Sequence, residues 1–126
     1  MRNIIQKIKD LFNPVELNFV EYLCHKRYLD QDYHVKIRQV VRCIHKKGSM
    51  SMQDYRQFIE MGISFGEGTR DKVFESPYPY KKVIARLIEL TDNKYTKEDI
   101  EKSCGVGLEG KDLEKFNFLC YSRKNN

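Results

Sequence analysis

HVKIRQVVRCIHKKG, residues 34–48, carries two patterns at once. Ile37, Val40, Val41 and Ile44 recur at helical spacing, with Tyr33 one turn earlier, so one face of a helix is apolar. His34, Arg38, Arg42 and Lys46 follow one another at intervals of four and share a different face, with His45 beside them. Lys46 and Lys47 fall in the last turn, where cations favour the negative end of the helix dipole, and Gly48 is a natural terminator. Charged helix faces usually mix their signs. Here no carboxylate lies between Tyr33 and Gln53. The segment therefore reads as a helix with a core face and a basic face, whose cations are expected to reach solvent together.

The same periodicity extends in both directions. Upstream, Ile4, Ile5, Ile8, Leu11 and Phe12 form a stripe, and "NPVE" then offers a cap at Asn13, a first-turn proline at Pro14 and Glu16 three residues after the cap. The helix so opened carries Val15, Leu17, Phe19, Val20, Tyr22, Leu23 and Cys24 over most of its circumference, as a central buried helix does. Asp30 to Asp32 form an acidic cluster at the start of the basic helix. Downstream, Ser51 and Asp54 suit a cap, and Met52, Tyr55, Phe58 and Ile59 make a core face that ends near Gly62.

Periodicity returns through Tyr80, Val83, Ile84, Leu87 and Leu90. Thr96 with Asp99 opens another helix, and a last one runs from about Lys111 to Tyr121 on Leu113, Phe116, Leu119 and Cys120. Between Gly62 and Pro79 the glycines and prolines read as a long connection, with room for a short helix at residues 70–74 or a strand at Ile63–Phe65. The expected architecture is all-α: one domain over residues 1–126, a compact bundle of about six helices with one long irregular connection at 62–79.

Composition narrows the function classes. A chain of 126 residues can bury one core, and no apolar run approaches the roughly 20 residues of a membrane span. With no secretory signal pattern, the scattered Cys24, Cys43, Cys104 and Cys120 read as free thiols, and the expected location is cytoplasmic. Cys24, Cys43 and Cys120 are expected to be buried small apolar residues. No ligand spacing suits a metal, and no cofactor is implied. The net charge of +5 is uneven. Residues 1–50 hold ten basic and five acidic residues, whereas residues 51–126 hold thirteen of each. All of the excess lies near the quoted helix, which suggests an anionic partner.

Three further patterns each have a plainer account. "YTKEDIEKSCGVGLEGKDLEKFNFL" resembles a helix-turn-helix at Thr96, Ile100 and Gly105, but Glu101 stands where that motif wants a small residue, and Asp112 would oppose phosphate. A helix hairpin closing the bundle is the better account. Arg38 and His45, seven residues apart on one helix, are similar to the pairing in all-helical ribonucleases, with His as acid/base and Arg as charge stabiliser. Arg27 and His34 show the same spacing across a break where no helix could align them, which measures the chance rate. "GISFGEGTR" follows a helix rather than a strand, so it reads as a connection and not as a phosphate loop.

The leading expectation is a small non-enzymatic binding protein. Its basic helix, through His34, Arg38, Arg42, His45, Lys46 and Lys47, would contact nucleic-acid phosphates, DNA or RNA, with Tyr33 available to stack on a base. The alternative is a protein-interaction module or inhibitor, of the kind phages and mobile elements encode, that binds an acidic protein surface with the same helix. Third stands a metal-independent ribonuclease using Arg38 and His45. The N-terminal stripe also leaves room for a homodimer.

Overall fold

Side-chain capping boxes open two of the helices. In the computed structural model, residues 15–30, 32–65 and 78–124 are described. They form α1 (Val15–Lys26), α2 (Asp32–Lys47), β1 (Ser49–Met50), α3 (Met52–Glu60), β2 (Tyr78–Pro79), α4 (Tyr80–Leu90), α5 (Lys97–Cys104) and α6 (Gly110–Lys124). Ser51 and Asp54 close a full capping box at the start of α3, and Thr96 and Asp99 close another at α5. In each box the hydroxyl oxygen accepts the third backbone N–H, while the carboxylate accepts the cap's own N–H. Gly48, at φ +84°, turns the chain out of α2 in the left-handed region that glycine enters without strain.

The molecule is a compact, mostly helical bundle, with six helices among the described residues. α1 lies at its centre, packed chiefly against α5 and also against α2. Phe19, Val20, Leu23 and Cys24 are all buried, and the Val20 N–H donates to Ser103 Oγ at 3.2 Å where α1 meets α5. The stripe of α2 is buried as its spacing required, at Ile37, Val40, Val41 and Ile44. From α3, α4 and α5 come Tyr55, Phe58, Val83, Ile84, Leu87, Ile100 and Cys104. Each fully buried aliphatic or aromatic side chain contributes roughly 1.5–3 kcal/mol of burial energy, so the core, rather than helix propensity, holds the bundle.

Several expectations need correction. Met52 is 45 % exposed, so the α3 core face begins at Tyr55. Ile63–Phe65 is not a strand; Ile63 and Phe65 are buried side chains on irregular backbone. The Arg27 Nη1 donates to the Gly62 carbonyl at 2.6 Å, and the Arg86 Nε to the Ser64 carbonyl at 2.8 Å, which satisfies that backbone. A two-residue antiparallel bridge pairs Ser49 with Pro79 and Met50 with Tyr78. Two residues per strand are too few to leave a period-two pattern, so nothing in the sequence announces it. The N-terminal stripe, the cap at Asn13 and the short helix at 70–74 lie outside the described residues.

Candidate anion-binding groove

α2 divides its cations between two flanks. Lys36 and Lys47 are eleven residues apart, about three turns, so they share the flank that faces α3. There Lys36 Nζ donates to Glu60 Oε2 at 2.8 Å and Lys47 Nζ to Asp54 Oδ2 at 2.6 Å. Asp54 is the buried carboxylate of the α3 capping box. Burial is the largest influence on it and opposes its charge, but hydrogen bonds from Lys47 and Ser51 outweigh burial and hold the carboxyl below its ordinary value. The hydrogen bond to Asp54 in turn raises Lys47. Lys47 was expected to meet an external anion. Instead it ties the end of α2 to the start of α3.

The opposite flank faces α5 and α6, and its residues meet different fates. His34 is half-buried and engaged within the protein. Arg38 is only 6 % exposed, against the expectation that it reaches solvent. The half-buried Arg42 donates from Nη1 to the Cys104 carbonyl at 2.9 Å, a cation closing the negative end of α5. Burial pulls its guanidinium down from the ordinary value, and the nearby charge of Arg38 adds to that. His45 remains exposed, its ring set edge-on to Tyr80 at a 5.0 Å centroid distance, while the Tyr80 hydroxyl donates to Glu101 at 2.9 Å. Lys46 is exposed and makes no ion pair among the described residues. Tyr33, expected as a stacking face, is partly buried against the core.

α6 crosses this flank without closing it. A groove of about 420 Å³ between the two helices is lined by Val35, Arg38, Gln39, Arg42, Asn117, Phe118 and Cys120. A neighbouring one of about 750 Å³ is lined by Arg42, His45, Lys46, Leu108, Glu109 and Leu113, among others, so Arg42 borders both. Among the described residues no acidic one lines the smaller groove, whereas Glu109 lines the larger. Arg38 and His45, the two side chains expected to act as a ribonuclease pair, thus line different grooves.

Arg38 is the unusual member. Among the described residues it makes no hydrogen bond and no ion pair. The sealed side-chain nitrogen without a partner in that set is Arg27 Nε, and Arg38 is one of the residues that line the smaller groove. A guanidinium this covered and uncompensated costs the fold several kcal/mol of desolvation on general grounds. Cys24 and Cys104 lie close enough for Arg38 to favour their thiolates, yet burial dominates and pushes both thiols up to about 12. They are inert packing groups. Cys43, expected to be buried, is exposed on the border of the larger groove. Among the described residues no cluster of His, Cys, Asp and Glu could hold a metal ion.

Sequence reading missed the α6 wall. It assigned Leu113, Phe116, Leu119 and Cys120 to the core, but Leu119 is 37 % exposed and Phe118 is 67 % exposed. One signal was present: Phe116 and Phe118 stand two apart and cannot share a helix face. Phe116 takes the inward side, its ring so close to Gly105 that a Cβ there would sit 2.8 Å from it. The chain matches no family model, no curated protein and no solved structure.

Proposed function

We propose that this chain is a binding protein rather than an enzyme, and that the α6-facing flank of α2 receives an acidic segment of another protein. The observation that carries the reading is the contrast in neutralisation. Lys36 and Lys47 have carboxylate partners, whereas Arg38, Arg42 and Lys46 have none among the described residues. Between them stand apolar walls from Val35, Phe118 and Leu108, all partly exposed. Cations set between exposed apolar groups suit a peptide that brings both carboxylates and hydrophobic side chains.

Nucleic-acid phosphates, the leading expectation from sequence, fit this surface less well. Of the six residues expected to meet them, Arg38 is buried, Arg42 is half-buried and bonded to a carbonyl, and Lys47 is paired. A phosphate strand gathers its affinity from several cations that reach it together. A titration at low and moderate salt decides between the partners. An acidic, apolar-interrupted peptide is expected to bind the wild-type protein and to lose about tenfold with Lys46→Glu, since a like charge at the contact repels. Equal or tighter binding of single- or double-stranded nucleic acid, falling steeply with salt, would replace the protein partner with a nucleic acid. Binding of neither would end the reading.

A further inference from the structure

The proposed function concerns the whole α6-facing flank of α2; the smaller groove within it carries an inference about the ligand group it takes, which rests on that reading of the flank as a binding surface. We infer that the space between α2 and α6 at Arg38 is a binding site for one carboxylate borne on an apolar group, an aryl- or alkyl-carboxylate.

Three observations converge there. First, Arg38 is more than nine-tenths buried, carries a charge, makes no hydrogen bond or ion pair among the described residues, and lines this groove. A planar guanidinium offers paired N–H donors whose geometry matches a carboxylate. Second, the next cation along the row, Arg42, is near enough for the two charges to oppose each other, and among the described residues no carboxylate lines the groove to relieve them. An incoming anion would supply that relief. Third, the remaining walls combine apolar groups, Val35 on α2, Phe118 on α6 and the side of Cys120, with two neutral amides, Gln39 on α2 and Asn117 on α6. The volume of about 420 Å³ falls within the roughly 300–1,000 Å³ of small-molecule pockets, which combine apolar walls with a few polar groups.

A bare inorganic anion would leave those walls unfilled, and a neutral apolar molecule would leave the arginine unanswered. One molecule that carries both groups satisfies the whole site. An acidic side chain beside an aromatic one in a protein offers the same chemistry, so the source needs its own arm in the test.

The test titrates the full chain with 3-phenylpropanoate and with neutral 3-phenylpropanamide, following the Arg38 side-chain N–H and the Phe118 ring by NMR. Saturable binding of the acid, with the amide at least about tenfold weaker, is the expected result. Arg38→Gln should erase that preference. Because a change at a buried position can disturb folding, Asn117→Asp serves as the second variant; it alters an exposed residue at the groove and should weaken the acid about tenfold by placing a like charge beside it. A blocked Phe-Glu-Phe peptide forms the second arm. Arg38-dependent binding of that peptide without the free acid assigns the source to a protein, and Arg38-dependent binding of the free acid assigns it to a small molecule. Failure of both ligands to saturate at about 10 mM, equal binding of acid and amide, or indifference to Asn117→Asp would each overturn the inference.

Discussion

The two flanks of α2 are made of the same residue types in one segment, yet they do opposite work. On the α3 side, Lys36 meets Glu60 and Lys47 meets Asp54, so the cations join two helices. On the α6 side, Arg38 is covered without a partner, Arg42 is spent on a carbonyl, and Lys46 stands free of ion pairs among the described residues. A cation neutralised by the fold contributes to the fold. One that the fold covers and leaves uncompensated works against stability, and such a group is retained where it serves something outside the fold.

The comparison predicts opposite signs for substitutions on the two sides. The largest effect belongs to Asp54→Ala, which removes the α3 capping box and the partner of Lys47 together; urea denaturation should show a loss of about 2 kcal/mol. Gly105→Ala should follow at about 1–2 kcal/mol, because the residue needs φ +72° and the added methyl meets Phe116 beneath α6. Arg38→Met should be neutral or stabilise by up to about 1 kcal/mol, since it relieves a covered charge. If Arg38→Met instead costs more than Asp54→Ala, the two flanks do not differ as described. Lys36→Ala should be the smallest, within about 0.5 kcal/mol, because its pair with Glu60 is exposed to solvent.

Acid sharpens the same contrast. The folded protein holds Asp54 below its ordinary carboxylate value, so its contribution is complete above that value and is lost as pH falls through the lower, folded one. Comparing urea midpoints of the wild type and Asp54→Asn should therefore show a difference that is constant near neutrality and shrinks in acid. A gap that widens in acid would reverse the assigned sign. Arg38→Met should change stability by the same amount across that range.

Much of the α3-facing half was legible before any coordinates. Ser51 and Asp54 announced their cap, Thr96 and Asp99 theirs, and the α2 stripe named its buried residues, because such signals act within one or two turns of chain. The candidate site was half legible. The four-residue spacing placed Arg38, Arg42 and Lys46 along one face of α2, but it treated Arg38, Arg42, Lys46 and Lys47 as equals. Their difference comes from Asp54 and Glu60 in α3, Cys104 at the end of α5, and Phe118 in α6, all brought up from later in the chain. Cys43 and Met52, both exposed, show the same limit: residue type alone did not say which side of a helix the bundle would leave open.

By itself, then, the order of residues determined where the capped helices begin, which stripe α2 buries, and that this helix carries a run of cations with no acid after Asp32, since each of these is a matter of local spacing. Tertiary structure alone decided which cations are neutralised and which is sunk beside a groove. Electrostatic compensation depends on distance in space, and only the packing of α3, α5 and α6 around α2 sets those distances.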